Sequence, residues 1–230
     1  MRALPSLAFV FALISAGHAQ ALSYGVAALP NGSTAIVAEG RIHRNEAARL
    51  LTSVQRAAAV SGSIPRTLVI SSPGGELVGA LALGEALRQL GVRTVVGSIA
   101  SDGYGQATLS PGRCHSACVF VLMGGAARSV VPGSLVGVHS PQLVMVVGGR
   151  AYLPDSETTR YMIQQTAPVL RSYARQMGVS PSLVDVANDV PHTTVRNLSS
   201  SEMTRYSLVT QPRHPRATTA HKAYGRQRSR

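Results

Sequence analysis

The stretch from residue 67 to residue 97 leaves this chain few ways to fold. Thr67-Leu68-Val69-Ile70-Ser71 is a short, continuous apolar run, the pattern of a strand buried on both faces. Pro73-Gly74-Gly75 then turns the backbone, and residues 76–90 read as a helix that Gly91 closes. Residues 92–97 return to an apolar strand pattern. Strand, helix and strand in this order imply a parallel pair joined by a right-handed crossover, so the segment predicts an α/β fold.

The flanking sequence extends that reading. Residues 34–42 form a strand pattern ending near Gly40, and Asn45 is placed to cap a helix running to Ser61 with Ala48, Leu51, Val54 and Ala58 on its apolar face. Residues 101–112 are rich in Gly, Ser and Asp and read as a loop. Ser116 is placed to open a helix to Met123, and Val130-Val131 and residues 135–139 read as strands. Residues 143–147 and 151–152 flank Gly148-Gly149 as a small hairpin. Asp155 or Ser156 caps a long helix to Met177, ended by Gly178, and Ser180 caps another to Asn188. The sequence shows no internal repeat.

At 230 residues and 45% hydrophobic the chain can bury one sizeable domain core. Its first residues read as a secretory signal: Arg2, then an apolar stretch over residues 4–16, then a small-x-small site favouring cleavage after Ala19 or Ala21. That organisation gives a signal over 1–19, a domain over 22–210 and a tail over 211–230, with a periplasmic or secreted product. The +12 formal charge does not argue for nucleic acid. Lys222 is the only lysine, aromatic residues do not interleave with the arginines, and much of the charge sits at one end. Arg213, Arg216, Lys222, Arg226, Arg228 and Arg230 have no acidic residue among them, the pattern of a disordered basic tail able to touch anionic lipid surfaces.

Three short motifs carry the chemistry. Gly74-Gly75 after a strand offers amides that can approach a substrate oxygen closely. Ser116 sits between small residues in Cys114-His115-Ser116-Ala117-Cys118, and His139 ends a strand before Ser140-Pro141. Oxyanion donors, a nucleophile and a general base are what acyl transfer needs. His115 is a poor base for Ser116, because adjacent side chains point apart. Cys114 and Cys118 can pair as a disulfide in an exported protein, or pack a helix as two buried thiols. Two cysteines and one nearby histidine lack a fourth ligand for zinc, so no metal is expected.

In their order and spacing these motifs resemble the Clp-type serine peptidases of the ClpP/crotonase superfamily. The resemblance also takes in residues 124–134 and the segment Leu198-Ser199-Ser200-Ser201-Glu202-Met203-Thr204-Arg205-Tyr206-Ser207-Leu208-Val209. It implies a fold of repeated ββα units with a small hairpin and a long C-terminal helix. It further implies a Ser116–His139 pair, an oxyanion hole from the Gly75 and Ala117 amides, and Asp189 as third member, with Asp185 and Asn188 competing. A peptide or acyl substrate, no cofactor and a homo-oligomer built on the long helix follow from the same likeness. The coenzyme-A-ester branch of the superfamily does not suit an exported protein, and a catalytically inactive binding or assembly module is the alternative function. Intact-mass analysis of protein from its native cell should show a mature N-terminus at Gln20 or Leu22; a full-length product would refute export.

Overall fold

In a computed structural model the chain is described over residues 20–29, 32–101, 107–147 and 150–210. The expected signal segment and basic tail lie outside the described residues. A five-stranded sheet forms the base of the fold. Its members are β1 (Ser23–Ala28), β2 (Thr34–Glu39), β3 (Thr67–Ser71), β4 (Arg93–Val96) and β8 (Arg128–Val130), in the order β1-β2-β3-β4-β8. The pairs from β2 through β8 are parallel, and only the edge strand β1 runs antiparallel to its neighbour. Leu68, Val69 and Ile70 are completely buried, as a parallel strand covered on both faces requires.

The crossover helices pack on that sheet. They are α1 (Glu46–Ser61), α2 (Leu77–Gln89) and α3 (Cys118–Gly124). The α/β class predicted from residues 67–97 is the class observed. Helix α1 turns a different face inward from the one expected: Leu50, Val54 and Ala57 are buried, whereas Leu51 is exposed. The sequence of α1 is apolar on two adjoining stripes, so periodicity alone does not choose between them. Asn45 precedes α1 without a side-chain capping bond; Glu46, fully buried, instead accepts from the His43 amide and from Arg49.

A second, three-stranded sheet carries the chemistry-bearing segments. It contains β7 (Arg113–His115), β9 (Leu135–Val138) and β12 (Arg196–Asn197), in the order β12-β9-β7. The stretch expected to form a loop over 101–112 instead contains the strand β6 (Ala107–Ser110), which pairs antiparallel with β5 (Ser98–Ser101) just before it. The expected small hairpin is present as β10 (Met145–Val147) and β11 (Arg150–Tyr152), while its glycines lie outside the described residues. The long helix α4 (Ser156–Gln176) is capped by Asp155, whose carboxylate accepts from the Thr158 amide at 2.7 Å. The next helix, α5 (Ser182–Asn188), has Pro181 at its N-cap, and Ser180 spends its hydroxyl on Ser182 rather than on a backbone amide. A last short helix, α6 (Ser200–Arg205), starts in a reciprocal capping arrangement between Ser199 and Glu202.

Two arginines tie the ends of these helices together. Arg128, 5% exposed, donates to the carbonyls of Met123, Gly125, Met177, Ser207 and Leu208 at 3.0–3.4 Å. Arg88 donates to Met123, Gly124 and Met177 at 3.0–3.1 Å. The acceptors lie where α3 and α4 end, so two guanidiniums meet the orphan carbonyls and the negative ends of two helix dipoles. Burial, reinforced by Arg88, lowers the Arg128 pKa to about 10, which still leaves it charged at neutral pH. Replacing Arg128 by Met would leave several buried carbonyls without donors, at a cost of about 3 kcal/mol or more. Arg128→Lys should recover little, because an ammonium cannot span the fork. Urea unfolding of the two variants checks this, and a loss under about 1 kcal/mol in Arg128→Met would contradict the clasp.

Candidate active site

The turn after β3 and the start of β7 are hydrogen-bonded to each other. The Ser72 amide donates to the Arg113 carbonyl at 2.7 Å, and the His115 amide donates to the Ser72 carbonyl at 3.1 Å. This bridge joins the two sheets and brings Gly74 against Ser116. A Cβ on Gly74 would stand 2.7 Å from the His115 carbonyl oxygen, 2.8 Å from Ser116 Cβ and 3.2 Å from the Ala117 nitrogen. Gly74 also has φ +100°, so no other residue suits the position on either count. At Gly75 a Cβ would lie 2.1 Å from the Ile42 carbonyl oxygen. The double glycine is thus set by two close backbone approaches, one of them to the serine segment.

Ser116 does not open the helix as expected. It has φ +56°, a left-handed conformation rare for a residue with a Cβ, and α3 begins two residues later at Cys118. Such a conformation costs on the order of 1–3 kcal/mol and persists where the surroundings enforce it. Here the Ser116 amide donates to the Gly137 carbonyl at 2.9 Å, and its own carbonyl accepts from Val119 at 3.0 Å. Cys114 and Cys118 form a disulfide across the same five residues, with Cα atoms 5.1 Å apart. The structure places Cys114 in the middle of β7 and Cys118 at the start of α3, with the serine turn between them.

Ser116 and His139 wall one narrow cavity, completed by apolar side chains of α3 and α5. His139 Nδ1 lies 2.7 Å from the Ser140 carbonyl oxygen. A carbonyl only accepts, so this bond requires the proton on Nδ1, and in the neutral ring the lone pair is then on Nε2. Gly75 and Ala117 lie outside the regular elements, and among the described residues neither amide has a backbone acceptor.

The candidates for third member are placed less closely. The Ser140 amide donates to the Val190 carbonyl at 2.8 Å, which draws the end of α5 alongside His139. Asp189 itself is exposed, and among the described residues no hydrogen bond joins its carboxylate to His139. Asp185 is engaged elsewhere, accepting from Arg171 Nε at 2.8 Å. Asn188 makes no described side-chain bond to the histidine.

His115, one residue before the serine, is a feature the sequence reading set aside. Its ring lies against Gly137, Asn197 stands within its hydrogen-bonding reach, and among the described residues its buried Nε2 makes no hydrogen bond of regular geometry. Burial first, then the Arg113 and His139 charges, hold its pKa below the ordinary histidine value. The folded protein therefore takes up this proton less readily than the unfolded chain. That contribution to stability is whole above a pH of about 6.5 and is lost as pH falls from there through the lowered folded-state pKa. His115→Gln should flatten the dependence of the urea midpoint on pH between about 5 and 7. An unchanged slope would show that another group carries it.

No protein-family model and no curated protein matches the chain. Solved structures similar to it include three of low sequence identity. Two are mutants of the 1510-N membrane-bound stomatin-specific protease, the second in complex with a substrate peptide. Each is 15% identical with a TM-score of 0.49, and the match covers 76% of this chain and 75% and 71% of theirs. ClpP1 from Listeria monocytogenes is 17% identical with a TM-score of 0.48, over 76% of this chain and 88% of that one.

Proposed function

We propose that the protein is a serine hydrolase acting on peptide or other acyl bonds outside the cytoplasm, with Ser116 as nucleophile and His139 as general base. The observation that carries this reading is a strained serine at a strand-to-helix turn, sharing a cavity with a histidine whose Nδ1 is hydrogen-bonded. The disulfide beside it supports an oxidising compartment.

In the forward step, Ser116 Oγ attacks the acyl carbon as its proton passes to His139 Nε2. The carbonyl electrons move onto oxygen, where the Gly75 and Ala117 amides can donate. As the bond to the leaving group breaks, His139 returns the proton to it. Water then attacks the acyl-serine through the same histidine and releases a carboxylic acid. Each amide contributes on the order of 3 kcal/mol to the transition state when it is already aimed at the developing oxyanion. The Ser140 carbonyl performs the task a buried carboxylate has in other serine hydrolases: it fixes the ring and its tautomer. It carries no full charge, so it stabilises the imidazolium less.

A non-catalytic binding module on the same fold is the second reading, and the exposed Asp189 carboxylate favours it. A fluorophosphonate probe separates the two. It should label the wild-type protein on Ser116, and Ser116→Ala should abolish labelling. His139→Ala should slow it by roughly 10³-fold or more, because nucleophile and base act as a unit. Asp189→Ala should cost less than about tenfold, since the backbone carbonyl remains to hold Nδ1. No labelling of the folded wild-type protein would refute the hydrolase and leave the binding module.

A further inference from the structure

The cavity shared by Ser116 and His139 has a volume of about 20 Å³. That is the space of roughly one water molecule. Apart from those two residues its lining is apolar: Val119 and Met123 from α3, Val138 from β9, and Leu183 and Val184 from α5. All five are at most 3% exposed and belong to the main hydrophobic core. Phe120 completes the wall on the α3 side; its ring lies 6.0 Å from that of Tyr173, and its carbonyl accepts from the Tyr173 hydroxyl at 2.9 Å. Half-buried Ala187 of α5 closes the remaining side. Enlarging the cavity toward its five buried walls therefore means displacing core side chains, which interiors packed at crystal-like density resist.

We propose that this cavity is the acyl-side specificity pocket and admits a substituent no larger than a methyl group. The proposal rests on the hydrolase reading of Ser116. Once the bond between Ser116 Oγ and the acyl carbon has formed, the methyl of an acetyl group, or the side chain on Cα of a peptide's acyl residue, lies beside both Ser116 and His139. An apolar cavity walled by the same two residues is there to receive it. Acetyl, alanyl and glycyl groups fit without moving the core; a butyl chain, a leucyl side chain or an aromatic ring does not. An apolar lining without a hydrogen-bonding group also disfavours a polar or charged substituent, which would lose its water unpaired. The substrate class is thus esters of short acids, or peptide bonds that follow glycine or alanine. The leaving group is not restricted by this cavity.

The test compares p-nitrophenyl acetate, butyrate and octanoate on the disulfide-bonded protein, with Ser116→Ala as background. Acetate should exceed octanoate in kcat/KM by about tenfold or more, the usual scale for size exclusion in an apolar pocket. Met123→Ala and Leu183→Ala each remove a wall, one from each helix, and should reverse or erase the preference while labelling of Ser116 persists. Thermal melts identify a variant that fails to fold, and the other variant and the wild-type series still decide the matter. Octanoate turned over as well as acetate by the wild-type protein would overturn the pocket assignment and leave the hydrolase standing. Ester preference unchanged in a folded wall variant would do the same. No turnover of any ester, together with no fluorophosphonate labelling, would overturn the hydrolase reading and the pocket with it.

Discussion

Two pieces of backbone have to touch for this fold to have a site at all: the turn that follows β3 and the turn that precedes α3. Gly74 and Ser116 meet where no intervening side chain fits, and the amide–carbonyl exchange between Ser72 and residues 113–115 locks them at that distance. The large sheet ends in the first turn, and the small sheet ends in the second. Their meeting joins the C-terminal ends of β3 and β7, so the double-glycine turn and the serine turn are held against each other. A methyl group added at Gly74 would push the sheets apart and misplace the serine in the same movement.

The serine turn shows how strain is paid for by its neighbours. A left-handed serine is unfavourable alone, yet a strand hydrogen bond, a helix start and a covalent link each hold it from a different direction. The same logic appears on a larger scale at the arginine pair. There the helix ends supply carbonyls that would otherwise be buried without donors, and two cations satisfy them without a carboxylate partner among the described residues. Both arrangements rely on backbone groups where many proteins use side-chain pairs, and His139 follows suit by bonding to the Ser140 carbonyl.

Structure is legible in this sequence where local pattern and burial agree. Residues 67–71 are continuous and apolar because both faces are covered, and the glycines after them are demanded by close approach, so strand and turn were both legible. Local pattern misleads where several local solutions have similar energy. Helix α1 carries two apolar stripes, and only packing against the sheet selects Leu50 over Leu51. Ser116 looked like a helix cap because serine caps helices well; its left-handed conformation depends on Gly137, which is distant in sequence. Residues 101–112 carry a loop-like composition, yet Ala107–Ser110 pair as a strand with Ser98–Ser101. The roles of Arg88 and Arg128 had no sequence signal, since an arginine that binds carbonyls looks like any surface arginine until the helix ends are located.

The strand β8 lies at the edge of the large sheet, where unpaired backbone groups invite another chain to add on. Thr210 occupies part of that edge: its amide donates to the Arg128 carbonyl at 3.0 Å, and its hydroxyl accepts from the Arg128 amide at 2.8 Å. The guanidinium of the same arginine holds Ser207 and Leu208 in place just before it. One residue therefore both anchors the returning chain and receives it as a cover. Loss of that anchor would do more than soften the core: it would uncover a sticky strand, turning a local packing defect into a route to intermolecular β-pairing and precipitation.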